Sequence, residues 1–338
     1  MSTSLDLPVP VTLPGFNWKF TQFADLPAVH QMLVEADAVN HTTNAGTLED
    51  LQRKYSDPWC NPTTDFLLGR TYEGKVVAIA QVFVNPQPES EYMAYLFGEV
   101  HPAYRGLGIG ASILSWMEDR GCQRLSAFAS DKPHVLRTGC PDNLEDRIQL
   151  FESHDFMPVR YFYRMRRDLR LPIPSELVPD GMQLRTFQPD QAEAVLAAFN
   201  DSFSDQWGFE PVTPEDWRMF YLDSKDFRPD LTFLLWDGEE IAGMILNFVH
   251  RAQNERQGFQ EGWIQDLGAR RAWRERGVFP LLLCKAMQAF HEQGLEYATL
   301  GIDTEDPTGE LLDLYEHLGF IAVKRYITFE KPLEGWCL

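Results

Sequence analysis

The feature that most limits how this chain can fold is that it repeats itself. HPAYRGLGIGASIL at residues 101–114 returns as RRAWRERGVFPLLL at 270–283, with Arg105 and Arg274, and likewise Gly108 and Gly277, 169 positions apart. Phe66-Leu67-Leu68 and the apolar run Val76 to Val84 return as Phe233-Leu234-Leu235 and Ile241 to Val249. LFESHDF (150–156) returns as LYEHLGF (314–320), now 164 positions on, a drift that loop insertions produce. A period this long is a duplicated domain rather than a solenoid.

The stretch 169–180 between the copies contains Pro172, Pro174 and Pro179 and is followed by Gly181, the composition of a stiff extended connector. The expected domains are therefore residues 16–168 and 181–332. Each copy predicts a helix first (Asp25 to Asp37; Pro189 to Asn200), then a strand pair joined by a turn dipeptide such as Asp237-Gly238. A glycine loop opening a helix follows (Gly108 to Arg120; Gly277 to Gln293), then a strand, a helix (Leu144 to His154; Gly309 to Leu318) and a last strand. This order implies an α/β (α+β) fold in two tandem copies, each a mixed, largely antiparallel sheet flanked by helices.

With 44% hydrophobic and 24% charged residues, the chain is not a disordered one. Its longest apolar runs fall well short of the roughly 20 residues that span a bilayer. The N-terminus MSTSLDLPVPVTLPG has neither the basic nor the continuous apolar part of a secretory signal, so a cytoplasmic location is expected. Five cysteines, an odd number with no C-x-x-C pair, point to reduced thiols and away from a zinc site. The formal charge is −20, and residues 169–338 carry 29 of the 50 acidic side chains. That field opposes nucleic acid and anionic membranes and favours a cationic small molecule.

The chemistry concentrates at the glycine loop. Val100-His101-Pro102-Ala103-Tyr104-Arg105-Gly106-Leu107-Gly108-Ile109-Gly110 joins a strand to an amphipathic helix. Glycines there let a ligand approach the backbone, and the first-turn N–H groups of the helix attract an anion. The site suits a pyrophosphate. A P-loop needs a lysine after its last glycine, and Ala111-Ser112 stands there instead. A dinucleotide fingerprint needs different glycine spacing at the start of a βαβ unit. The bland alternative is a tight strand-to-helix turn, which two such loops in one chain make the weaker reading. In the second loop Arg270, Arg271, Arg274 and Arg276 cluster, either as a cationic focus for phosphates or as a solvated loop neutralised by Glu275 and nearby acids.

Arg-x-x-Gly-x-Gly after a strand ending Val-x-Pro resembles the GNAT acetyltransferase superfamily, whose members seat the pyrophosphate of acetyl-CoA on such a loop. The resemblance covers almost the whole chain. It implies cofactor seats at Val100, Arg105, Gly106, Leu107, Gly108, Ile109 and Gly110, and at Leu267, Gly268, Ala269, Arg274, Glu275, Arg276, Gly277 and Val278. The second loop departs from the pattern at Phe279, where the family prefers Gly or Ala. The layout is similar to that of mycothiol-synthase-type tandem acetyltransferases, which leave the first copy degenerate in catalysis.

Amide formation needs a base for the amine, a donor for the oxyanion and a proton for the departing thiolate. The resemblance implies Tyr315 as the acid, within Leu314-Tyr315-Glu316-His317-Leu318-Gly319-Phe320, and Asp266 as the base; Glu261 is a weaker substitute. It implies a backbone N–H near Gly268 or Ala269 as the oxyanion donor. The first copy has Phe151 and Phe97 at the positions of Tyr315 and Asp266, with Glu99 as its nearest acid. No metalloprotease, nucleophile-elbow or zinc spacing occurs, and no metal is expected. The scattered histidines, His101 and His134 among them, read as surface residues. The expected activity is acetyl transfer from acetyl-CoA to the amine of a small, cationic acceptor bound by loops such as residues 203–225. A rival reading, carried by Phe151 and Phe279, is a non-catalytic acyl-CoA-binding or scaffold protein with degenerate domains.

Overall fold

The structure is a computed structural model that describes residues 13, 15–42, 45–56, 59–86, 91–128, 132–206, 209–305 and 312–333. The first copy runs β1 (Phe16–Phe20), α1 (Leu26–Asn40), α2 (Leu48–Tyr55), α3 (Pro62–Asp65), β2 (Phe66–Thr71), β3 (Val76–Val84), β4 (Tyr92–Val100), α4 (Ile109–Leu125), β5 (His134–Pro141), α5 (Glu145–Ser153) and β6 (Met157–Asp168). The second runs β7 (Met182–Thr186), α6 (Ala192–Phe203), α7 (Pro214–Trp217), β8 (Phe233–Asp237), β9 (Glu240–Phe248), α8 (Arg251–Gln257), β10 (Glu261–Ala269), α9 (Val278–Glu292), β11 (Tyr297–Thr304), α10 (Asp313–His317) and β12 (Ile321–Pro332). Residues 306–311, where the last expected helix of the second copy begins, lie outside the described residues.

Both copies build the same sheet. β1 to β4 pair antiparallel in sequence, and β4 then lies parallel to β5, Tyr92–Tyr95 against His134–Arg137. β7 to β10 repeat this, and β10 runs parallel to β11 over Glu261–Ile264 against Tyr297–Leu300. Strands such as β3 read as unbroken apolar runs because helices cover both faces. In the first copy α1 and α2 pack over Phe66, Leu68 and Ile79 on one face. Gly98 makes room for Met117 and Ile113 of α4 on the other. In the second, Gly262 lies under the Phe290 ring of α9, where a Cβ would sit 2.5 Å from a ring carbon.

The last strands change places. Tyr161–Asp168 of β6 pairs antiparallel with β11, while Tyr326–Pro332 of β12 pairs antiparallel with β5. The compact units are thus Met1–Arg160 with Tyr326–Leu338 (unit 1) and Tyr161–Arg325 (unit 2). The boundary expected at 169–180 separates the sequence copies but not these units. Prolines mark where ladder pairing stops, whereas the unit is decided by the strand that pairs just before them. The connector belongs to unit 2, where the Arg167 guanidinium donates to the carbonyls of Leu318 and Pro172. A chain ending at Arg325 loses the buried Ile327 and Phe329 from unit 1. At about 1.5–3 kcal/mol for each buried side chain, hydrogen exchange should then show protection lost in β4 and β5.

Candidate active site

The two glycine loops share one backbone path. Gly108 and Gly277 cap α4 and α9 with φ of 79° and 73°. Two residues earlier, Gly106 at 76° corresponds to Glu275 at 67°, a left-handed conformation that costs a non-glycine residue about 1–2 kcal/mol. The arginine at the loop's centre is tied back in both: Arg105 Nε donates to the Val100 carbonyl at 3.4 Å, and Arg274 Nε to that of Ala269 at 3.2 Å.

The surroundings then diverge. In unit 1 a cavity of about 700 Å³ opens on the loop, lined by Val100, Arg105, Gly106, Gly108, Gly110 and Arg147 among others. Glu99 is buried, bonded to Arg105 Nη2 at 3.3 Å and Arg147 Nη2 at 2.6 Å, so it orients two cations at the cavity wall. Ile109 points into the core and Leu107 outward, which leaves their backbones to the site. In unit 2 the arginine cluster is neutralised by the end of α6. Arg274 forks onto Asp205 at 2.5 and 2.9 Å, Arg271 reaches the same carboxylate at 3.5 Å, and Arg270 meets Asp201 at 2.5 Å. The Arg274 bonds hold the Asp205 carboxyl well below the usual range. Arg276 is exposed. Pro280 takes the third helical position of α9, where α4 has Ala111, and so removes one first-turn N–H donor. The Phe279 ring packs on the unit 2 core, and Val278 is buried in it.

The catalytic candidates diverge the other way. β4 pairs with β3 without interruption from Ala94 to Val100, and Phe97 packs beneath α1. β10 carries one extra residue, Gln265, between Ile264 and Asp266 in its pairing with β9. Such a bulge re-aims the side chain that follows. Asp266 therefore shares the face of Trp263 and Gly268, toward α6 and the aromatic cluster of Phe199, Trp217 and Phe248. Just before the bulge β10 also parts from β11, its last parallel partner pair being Ile264 and Leu300. The Asp266 carboxyl is desolvated by this packing and pushed up to about 7, although Tyr221 donates to Oδ2 at 2.8 Å and pulls the other way. Glu261 lies buried at the start of β10, bonded to Arg164, Arg166 and Thr299, and so is engaged structurally.

Tyr315 stands on α10, half-buried against the unit 2 core, with its ring edge-on to Phe320 at 6.3 Å. Burial raises its phenol above the ordinary tyrosine value, so it is protonated at neutral pH. In unit 1, Phe151 is buried against Phe156 and Phe329, and Tyr326 lines the narrow inner cleft near Gly139. His101, expected at the surface, is buried and bonds Glu35 at 2.8 Å. The described cysteines, Cys60, Cys122, Cys140 and Cys284, form no disulfide, and Cys337 lies outside the described residues. Among the described residues no helix is long and apolar enough to cross a membrane, and no cluster of metal-ligating side chains occurs.

Three comparisons bear on this geometry. The model of the Acetyltransferase (GNAT) family matches residues 31–135 and 192–320. A mycothiol acetyltransferase of Thermobispora bispora is 28% identical over 87% of this chain and 90% of its own length. One from Salinispora tropica is 25% identical over 91% and 93%. Among solved structures, a GCN5-related N-acetyltransferase from Sphaerobacter thermophilus superposes with a TM-score of 0.75 at 25% identity, covering 95% of this chain and 97% of that one. A tandem GNAT protein from the clavulanic acid biosynthesis pathway shares the fold, with a TM-score of 0.64 at 13% identity over 94% and 98%. A family match over more than half of the residues, falling once on each copy, places the chain in the GNAT acetyltransferase family as an N-acetyltransferase of tandem architecture.

Proposed function

We propose that unit 2 transfers an acetyl group directly from acetyl-CoA to the amine of a small acceptor, while unit 1 holds acetyl-CoA without turning it over. The observation that carries this is the asymmetry at corresponding positions. Unit 2 has a bulge-turned Asp266 and a protonated Tyr315 where unit 1 has Phe97 and Phe151. Acetyl-CoA supplies the activated thioester; the chain supplies binding, orientation and proton transfer. The first-turn N–H groups behind Gly108 and Gly277 meet the pyrophosphate, with Arg105 and Arg147 adding charge in unit 1.

Asp266, with a pKa of about 7, takes the proton of the acceptor ammonium directly or through one water, and is half ionised near neutral pH. Backbone N–H groups of β10 beyond Ile264 meet the developing oxyanion in this reading, which is supported by β10 having parted from β11 there. Tyr315 gives its proton to the leaving sulfur. The relatives named mycothiol acetyltransferases support a small-molecule acceptor, and the acidic second half of the chain supports a cationic one. The scaffold reading survives for unit 1 alone, on Phe97 and Phe151.

The test is thiol release from acetyl-CoA with a panel of small amines. Tyr315→Phe is expected to lower kcat about tenfold to a hundredfold, because a thiolate leaves tolerably without full protonation. Its acetyl-CoA affinity in calorimetry should stay as in the parent. An unchanged kcat would remove Tyr315 from the mechanism.

A further inference from the structure

Residues 218–222, directly after α7, form a single π-helical turn, wider by one residue than an α-turn. That turn stacks the Tyr221 ring on Trp217 at 4.1 Å and 25°. Phe199, Phe227 and Phe248 close around it with centroids 5.9–6.1 Å away. The ring is 8% exposed and fixed on every side, and its hydroxyl is aimed at Asp266 Oδ2, 2.8 Å away. The contact joins residues 45 positions apart in sequence.

The other elements packed around Asp266 offer little competition. β9 places Leu246 opposite it, and α6 brings Ser202 and Phe203 to the neighbouring Gly268. Asp201 near the end of α6 and Asp205 just past it are paired with Arg270 and Arg274, and Glu193 at the other end of α6 is exposed. On the segment carrying Tyr221, Asp216 bonds Thr213, and the exposed Arg218 lies 3.9 Å from Asp223. Beyond β9, Asp226 pairs with His250 at 3.0 Å. Among the described residues, the Tyr221 hydroxyl is the side-chain donor to the Asp266 carboxylate.

We propose that Tyr221 is a positioning residue for the base: its hydroxyl fixes the rotamer of Asp266 and stabilises the anionic carboxylate against the apolar wall around it. The inference rests on the reading of Asp266 as the base. A purely structural bond would instead tether the π-turn to β10 and leave proton affinity in the reaction untouched.

The experiment follows the Asp266 side-chain carboxyl by carbon-13 NMR titration in the full chain, alongside the pH profile of kcat/KM. Tyr221→Phe keeps the stacked ring and removes the donor. The carboxyl titration is expected to move up by about one to two pH units, the worth of one hydrogen bond to a charged group. The acidic limb of the kinetic profile should move with it. Incorporating 3-fluorotyrosine at position 221, a more acidic phenol and a stronger donor, should move both in the opposite direction. Opposite shifts in the two variants establish the role, because a loss of packing would not change sign. A carboxyl titration unmoved in both variants overturns the proposal while leaving the base assignment standing. A carboxyl that moves while the kinetic limb stays fixed removes Asp266 as the base, and the function of Tyr221 with it.

Discussion

Asp266→Asn is expected to lower kcat/KM about 10²- to 10⁴-fold, the usual worth of a positioned general base, with acetyl-CoA affinity unchanged. Asparagine keeps the size of the side chain and can still accept from Tyr221, so the loss reads proton transfer rather than packing. The rate should fail to recover at high pH, whereas the parent enzyme gains activity as pH rises through about 7, where the desolvated carboxyl ionises. The same substitution has a second, opposite effect on stability. The native carboxyl titrates at about 7 rather than at its ordinary 3.8, so between those values the native state binds more protons than the unfolded one. Parent stability therefore declines as pH rises through that window, and the penalty is fully present above it. Asp266→Asn lacks the penalty and should melt higher than the parent at pH 8, by a few kcal/mol at most. The difference should vanish below about pH 4. Loss of activity with gain of stability at pH 8 is the signature of a desolvated functional group; loss of both would make Asp266 a structural residue.

How much of this was legible in the sequence follows from what each feature depends on. The duplication, the strand pairs and the two helices behind the glycine loops are local, and residues such as Asp237-Gly238 and Gly108 announce them. The exchange of β6 and β12 is not local. Each final strand has the same apolar and basic character, and no residue within either says whether β5 or β11 receives it. The bulge at Gln265 carries no glycine or other local marker, so the face to which Asp266 turns had to come from the pairing with β9. Tyr221 sits in Arg218-Met219-Phe220-Tyr221-Leu222, where no local residue marks a π-helical turn, and its bond partner Asp266 lies 45 positions downstream. The arginines of the second loop were visible, but their partners Asp201 and Asp205 lie 66 to 69 positions upstream. Charge counted along the chain could not distinguish a phosphate focus from a paired cluster.

Calorimetry with acetyl-CoA should resolve two unequal sites per chain, and substitutions in the two loops should separate affinity from turnover. The unit 1 loop retains the full set of first-turn donors, a glycine at each of positions 106, 108 and 110, and a cavity of about 700 Å³ walled by Arg105 and Arg147. The unit 2 loop loses a donor to Pro280, carries Glu275 in a left-handed conformation and has its central arginine forked onto Asp205. The tighter site is therefore expected in unit 1 and the weaker, productive one in unit 2. Gly108→Trp would fill the seat of the pyrophosphate and abolish the tight site, leaving turnover within severalfold of the parent. Gly277→Trp would spare the tight site and lower turnover about 10²-fold or more, in keeping with the cost of misplacing a reacting group. Both positions have positive φ, so tryptophan also brings backbone strain of about 1–2 kcal/mol. Gly108→Asn and Gly277→Asn, which tolerate that conformation, are the matched controls for folding. If turnover instead follows Gly108 and not Gly277, the seat of catalysis moves to unit 1, where Phe97 and Phe151 offer no proton transfer, and Tyr326 in its inner cleft becomes the group to replace.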